Sequence, residues 1–167
     1  CTDRVGKLAT IPLVDITVNA LNNNGLFRNA LETTLGVHKE APLPEYHSKT
    51  LRKQFVSDTI TPKPVGRTTG KIAFYATCYG NYNTPHLGED FSTVFRHNGI
   101  HMELVTKEAC CGMPKFELGD LDAVHQLKEK NIPVLAKLVD EGFDLTAPIP
   151  SCVLMYKQEL PLMYPDD

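Results

Sequence analysis

A chain of 167 residues, 42% hydrophobic and 22% charged, is long enough for one domain with a core of its own. Its formal net charge of -3 argues against general nucleic-acid or anionic-membrane binding, since both need clustered Lys and Arg. No apolar run approaches the ~20 residues that would span a bilayer, and no secretory h-region is visible.

The chain starts at Cys1 rather than Met, which reads more simply as truncation than as the lipid-bearing Cys of a lipoprotein. Residues 1–69 differ from the rest. "LNNNGLFRNALETTLG" predicts a short helix with Asn24 as N-cap, an apolar stripe of Phe27, Ala30, Leu31 and Leu35, and a stop at Gly36. The following stretch is rich in Pro and polar residues, with one helical turn expected near Ser48 to Phe55. Residues 1–69 therefore read as a helical and extended arm that packs on something else, and residues 70–167 as the folded unit.

From Lys71 the pattern tightens. "KIAFYAT" predicts a buried strand bounded by Gly70 and by the turn-rich "CYGNYNTP". "LGEDFSTVFRHNG" places Leu87, Phe91, Val94 and Phe95 on one helical face, ending at Asn98-Gly99. "IHMELV" is a second strand. The next helix turns Leu121, Val124, Leu127, Leu135 and Leu138 inward, and Pro133 is expected to kink or divide it. "FDLTAPIP" supplies a third, weaker strand, and "SCVLMYKQELPLMY" opens a last helix. Strand–helix alternation of this kind predicts an α/β fold, with a small parallel sheet flanked by helices.

Five cysteines are present, an odd number that does not suit a closed disulfide framework. A reducing, cytoplasmic setting follows as the expectation, with thiolates serving as ligands or redox groups. Cys78 follows the first strand, Cys110 and Cys111 follow the second, and Cys152 follows the third. In a parallel sheet these connections gather at one edge, where open α/β folds keep their functional sites. Cys152 falls near a helix N-terminus, whose free amides favour a thiolate. Four convergent thiolates suit an iron–sulfur cluster or a structural zinc, with Cys78, Cys110, Cys111 and Cys152 as the candidate ligands. Gly112 would let the backbone approach the metal. Against this stands the ordinary role of Cys as a small buried hydrophobe.

The six histidines show no HExxH spacing and read as structural or solvated, His86 excepted for its nearness to Cys78. "NYNTP" offers Asn81, Tyr82 and Asn83 for binding, although a turn capped by Asn83 or Thr84 explains it as well. Met155 reads as core.

The order Cys78, Cys110-Cys111-Gly112, Cys152 resembles the cysteine-rich CCG domain of heterodisulfide-reductase-like iron–sulfur oxidoreductases. "TCYGNYNTPHLGEDFSTVFRHNGI", "KEACCGMPKFELGD" and "PSCVLMYKQELP" look most like the CCG subunits of the anaerobic glycerol-3-phosphate dehydrogenase group. "TDRVGKLATIPL" and "LPEYHSKTLRKQF" resemble the linker of that group. The family motif often ends in CxxC, whereas this chain has Cys152-Val-Leu-Met155. Without a fifth thiolate the resemblance implies a cubane 4Fe-4S cluster rather than the non-cubane cluster of heterodisulfide reductases. One CCG unit and no ferredoxin-type cysteine run suggest a middle piece of a longer subunit.

The resemblance further implies an electron-transfer role, with a flavoprotein subunit and other iron–sulfur domains as partners. It also implies peripheral association with the inner face of the membrane through those partners, and a cluster easily lost from an isolated fragment. The alternatives are a metal-free thiol–disulfide redox domain and a zinc-stabilised interaction module.

Overall fold

In the computed structural model, residues 2–57 and 59–166 are described. Cys1 lies outside them.

The arm is more helical than its sequence suggests. Two helices precede the expected one, α1 (Thr2–Ala9) and α2 (Val14–Asn22). Neither announces itself: α1 carries Gly6 in mid-helix, and α2 is rich in β-branched residues. Tertiary contact decides both. A Cβ at Gly6 would stand 2.2 Å from the Tyr82 ring, so the glycine lets α1 lie directly against that residue. Asn19 of α2 donates to the Tyr46 carbonyl (2.8 Å) and accepts from the Tyr46 amide (2.9 Å).

The expected helix is α3 (Gly25–Leu35), and its ends form as read. Asn24 accepts from the amides of Leu26 and Phe27, and Gly36 closes the helix with a left-handed φ of 69°. The stripe is only half covered, however. Phe27 and Leu31 are half-buried while Ala30 and Leu35 are exposed. The buried residue is Arg28, whose guanidinium donates to the carbonyls of Lys39, His38 and Ala41. A single turn, α4 (Leu51–Gln54), completes the arm within the stretch where a turn is expected.

The remaining elements alternate. They run β1 (Lys71–Phe74), α5 (Cys78–Tyr82), α6 (Leu87–His97), β2 (His101–Leu104), α7 (Met113–Phe116), α8 (Leu121–Asp140), β3 (Asp144–Thr146) and α9 (Pro150–Leu154). A π-helical turn, Met155–Glu159, carries α9 into α10 (Leu160–Met163). The three strands form a parallel sheet in the order β2-β1-β3. β1 pairs Lys71 with His101 on one side and Ile72 with Asp144 on the other. The fold is therefore α/β, with a small parallel sheet flanked by helices.

Alternation along β1 splits the core in two. Ile72, Phe74 and Ala76 pack with Leu51 and Met102 beneath Phe91 and Phe95 of α6. Ala73 and Tyr75 face the other layer, built from Val124 and Leu135 of α8 with Met155 and Leu160. Two helical positions depart from expectation. Val94 and Leu121 are exposed, and Gly88, Ser92, Lys128 and Asn131 take inward places. Gly88 is inside because Leu51 presses there, at 2.7 Å from where a Cβ would stand. Pro133 does not divide α8. It lies on the exposed face, where water can serve the carbonyl that its missing N–H leaves free.

Candidate metal centre

All four expected cysteines lie at the end of the sheet to which the strands point, and all are free thiols. Cys78 opens α5 after β1, and Cys110-Cys111 sit in the loop between β2 and α7. Cys152 is the third residue of α9, after β3. Cys111 and Cys152 are buried, while Cys78 and Cys110 are half-buried. The sulfurs interact in sequence: Cys78 with Cys110, Cys110 with Cys111, and Cys111 with Cys152. Three connections thus deliver one connected group of thiols.

Their proton affinities diverge. Cys110 is held far below the ordinary thiol range by its neighbours Cys111 and Cys78, with help from the Gly112 amide. Cys78 is pushed up by Cys110 and by burial, and Cys111 by Cys110, Cys152 and burial. Contact among the sulfurs thus lowers the proton affinity of Cys110 and raises that of Cys78 and Cys111. Backbone amides also face the sulfurs: Tyr79 at Cys78, Gly112 at Cys110, Met113 at Cys111. Donors aimed at sulfur stabilise thiolates and set cluster potentials.

The backbone around the thiols is held by residues that the sequence did not single out. Thr77 has a φ of 63°, a strained value for a β-branched residue. It is held there on both sides. Its Oγ accepts from the Gly80 amide (3.0 Å), and its own amide donates to Glu108 Oε1 (3.2 Å). Arg52 forms an ion pair with Glu108 and donates to the Val105 carbonyl (2.9 Å). The Glu108 side chain is only 4% exposed, and its Oε2 is buried without a partner. Burial, opposed by Arg52, raises its carboxyl to about 8.

The loop of the cysteine pair is fastened from α8. Asn131, 1% exposed, accepts from the Ala109 amide (2.7 Å) and donates to the Cys110 carbonyl (3.0 Å). Tyr75 donates its hydroxyl to the Ala109 carbonyl and accepts one from Tyr156 (3.2 Å). Gly112 follows with a φ of 98°. A Cβ there would meet only ordinary contacts, the nearest at 3.6 Å from Met155, so conformation rather than space requires glycine. Asn131 left a trace in the sequence, since it stands at the helical midpoint between the inward residues Leu127 and Leu135. Glu108 and Arg52 left none, because their pairing joins positions far apart in the chain.

The minor candidates resolve differently. His86 is exposed and lines a cavity with Asp15 and His47, not the one that Cys78 lines. Asn81 and Asn83 are buried anchors for the arm: Asn81 accepts from the Arg52 amide (3.0 Å), and Asn83 donates to the Glu45 carbonyl (2.6 Å). Met155 is fully buried in the core cluster that contains Cys111 and Cys152. Among the described residues, no three His, Cys, Asp or Glu groups are gathered around a point that would hold a single metal ion. No helix among them is long and apolar enough to cross a membrane.

Comparison with known proteins places this arrangement. The chain is 28% identical over 161 residues to the subunit designated C of anaerobic glycerol-3-phosphate dehydrogenase from Escherichia coli strain K12. That alignment covers 96% of this chain and 39% of the relative, so the chain spans about two-fifths of that relative's length. It is 33% identical over 81 residues to the subunit designated B of fumarate reductase (CoM/CoB) from Methanothermobacter marburgensis, covering 48% of this chain and 16% of that one. An uncharacterized iron–sulfur protein of Methanocaldococcus jannaschii is 29% identical over 68 residues, or 41% of this chain and 14% of the relative. No solved structure matches. The family profile for the cysteine-rich CCG domain matches residues 72–157. Because that match takes in every connection that bears one of the four thiols, and more than half of the chain, the chain belongs to the cysteine-rich CCG domain family.

Proposed function

We propose that this chain is an electron-transfer module of an oxidoreductase and holds a cubane 4Fe-4S cluster through Cys78, Cys110, Cys111 and Cys152. Residues 70–167 form the cluster-binding unit, and residues 1–69 are the arm that joins it to neighbouring domains. Its partners would be a flavoprotein subunit and further iron–sulfur domains on the cytoplasmic side, with membrane contact made through them. The observation that carries the reading is the connected group of four thiols, with backbone amides turned towards three of the sulfurs. A single ion needs its donors arranged about one point, whereas a cluster distributes its thiolates over several irons. Four neighbouring thiols with amide donors at three of them suit the second arrangement.

Bound there, the cluster would supply one-electron redox chemistry. The chain's part is to shape its surroundings. Cys111 and Cys152 lie within the apolar layer of Met113 and Met155, which keeps water from that side. Asn131 and Tyr75 fix the loop that presents Cys110 and Cys111.

Anaerobic reconstitution with iron and sulfide, followed by iron analysis and EPR of the reduced protein, tests the proposal. The expected outcome is a stoichiometric cluster, reduced by more than half in Cys110→Ser and Cys152→Ser. Wild-type protein that takes up no stoichiometric cluster would sink it. The low proton affinity of Cys110 favours one rival, metal-free thiol–disulfide exchange. That rival requires metal-free protein to turn over a small disulfide, with loss of turnover in Cys110→Ser.

A further inference from the structure

Cys78 and Cys110 do not face only protein. Both line a cavity of about 670 Å³, within the range of small-molecule sites, roughly 300–1,000 Å³. Its charge runs against that of the chain. The molecule carries a formal net charge of -3, yet the cavity is lined by Arg4, Lys7, Arg52, Lys115 and Lys130, with Glu108 the one carboxylate among the described residues lining it. Four elements contribute these cations: α1, α4, α7 and α8. Arg52 is engaged by Glu108, and Lys115 lies 2.6 Å from Asp120. Arg4 and Lys130 have no acidic partner among the described residues. Cations converging on a concave wall of low polarisability focus a positive potential there.

A cluster held by four thiolates accounts for some of this positive charge. It does not account for the cavity's volume, nor for Arg4 and Lys7, which α1 carries in from the arm. We propose that the cavity binds an anionic small molecule bearing carboxylate or phosphate groups. Arg4, Lys115 and Lys130 hold its anionic end, and the rest of the molecule lies against the edge formed by Cys78 and Cys110. Guanidinium pairs with such oxyanions through two parallel hydrogen bonds, and the lysines add point charge. Its position beside a redox centre rests on the function proposed above, but the binding itself does not need the cluster.

The test is titration of the ¹⁵N-labelled, metal-free chain with inorganic phosphate and, separately, with citrate, following backbone amide shifts. Saturable shifts are expected at Thr77, Cys110, Lys115 and Gln126. Arg4→Glu/Lys130→Glu should weaken binding by roughly tenfold or more while leaving the spectrum elsewhere unchanged. Lys39→Glu/Lys53→Glu, outside the cavity, should not weaken it. Linear shifts spread over all basic surfaces, or equal affinity in the two double variants, would overturn the proposal. Saturable binding in a chain that fails reconstitution would uphold the anion site and count against the cluster. A reconstituted chain without saturable binding would do the reverse.

Discussion

A carboxylate enclosed like that of Glu108 is destabilising unless its charge is answered, and Arg52 reaches only one of its oxygens. The carboxyl therefore rises from its ordinary 4.5 to about 8 in the folded chain. Raised affinity for a proton means that the native state binds more protons than the unfolded state between those two values. Stability is thus fully present below about 4.5 and is lost as the pH climbs through about 8. Glu108→Gln keeps the shape and removes the titration. Urea unfolding from pH 5 to pH 9 should show a decline in the parent that is flattened in the variant. Parallel curves would show that Glu108 is ionised throughout. Gly112 makes a different point at the same scale. Its positive φ of 98° stands beside ordinary van der Waals contacts, the nearest with Met155. Any L side chain there would strain the loop just after the cysteine pair.

Between elements, the connection that matters most is α8 on the loop between β2 and α7. Asn131, itself buried, satisfies an amide and a carbonyl of a half-buried loop that no strand or helix ladder reaches. Asn131→Leu preserves the size and the helix while leaving both groups unpaired. The expected loss is about 1–3 kcal/mol of unfolding free energy in all, since the two backbone groups are half-buried. Chemical denaturation measures it, and an unchanged midpoint would mean that the loop finds other partners. The π-helical turn Met155–Glu159 works alongside this clamp. It begins at Met155, packed with Cys111 and Cys152, and offsets the helix by a residue where the last thiol is placed.

Across the whole molecule, the arm does not lie loosely on the sheet. Gly6 meets Tyr82, and the Tyr82 carbonyl accepts from the His47 amide (3.0 Å). Leu51 is buried beneath α6 at Gly88. Because α5 begins at Cys78, these contacts brace the segment that bears the first thiol. Gly6→Val would drive a side chain into the Tyr82 ring and lift α1 away. Hydrogen exchange should quicken in α1 and α5 while β1 and β2 keep their protection. Equal protection in parent and variant would show that α1 adds nothing to the site.

The alternation of strands and helices was legible in the chain, as were the cap at Asn24 and the place of each thiol after its strand. Those features come from side-chain period and turn residues, which act over a few positions. Helices α1 and α2, the inward Arg28 and Lys128, and the pairing of Glu108 with Arg52 were not legible. Each depends on a partner distant in sequence, so its free energy exists only once the chain has closed on itself. Where the thiols stand after their strands was local information; how their proton affinities diverge was decided by their meeting.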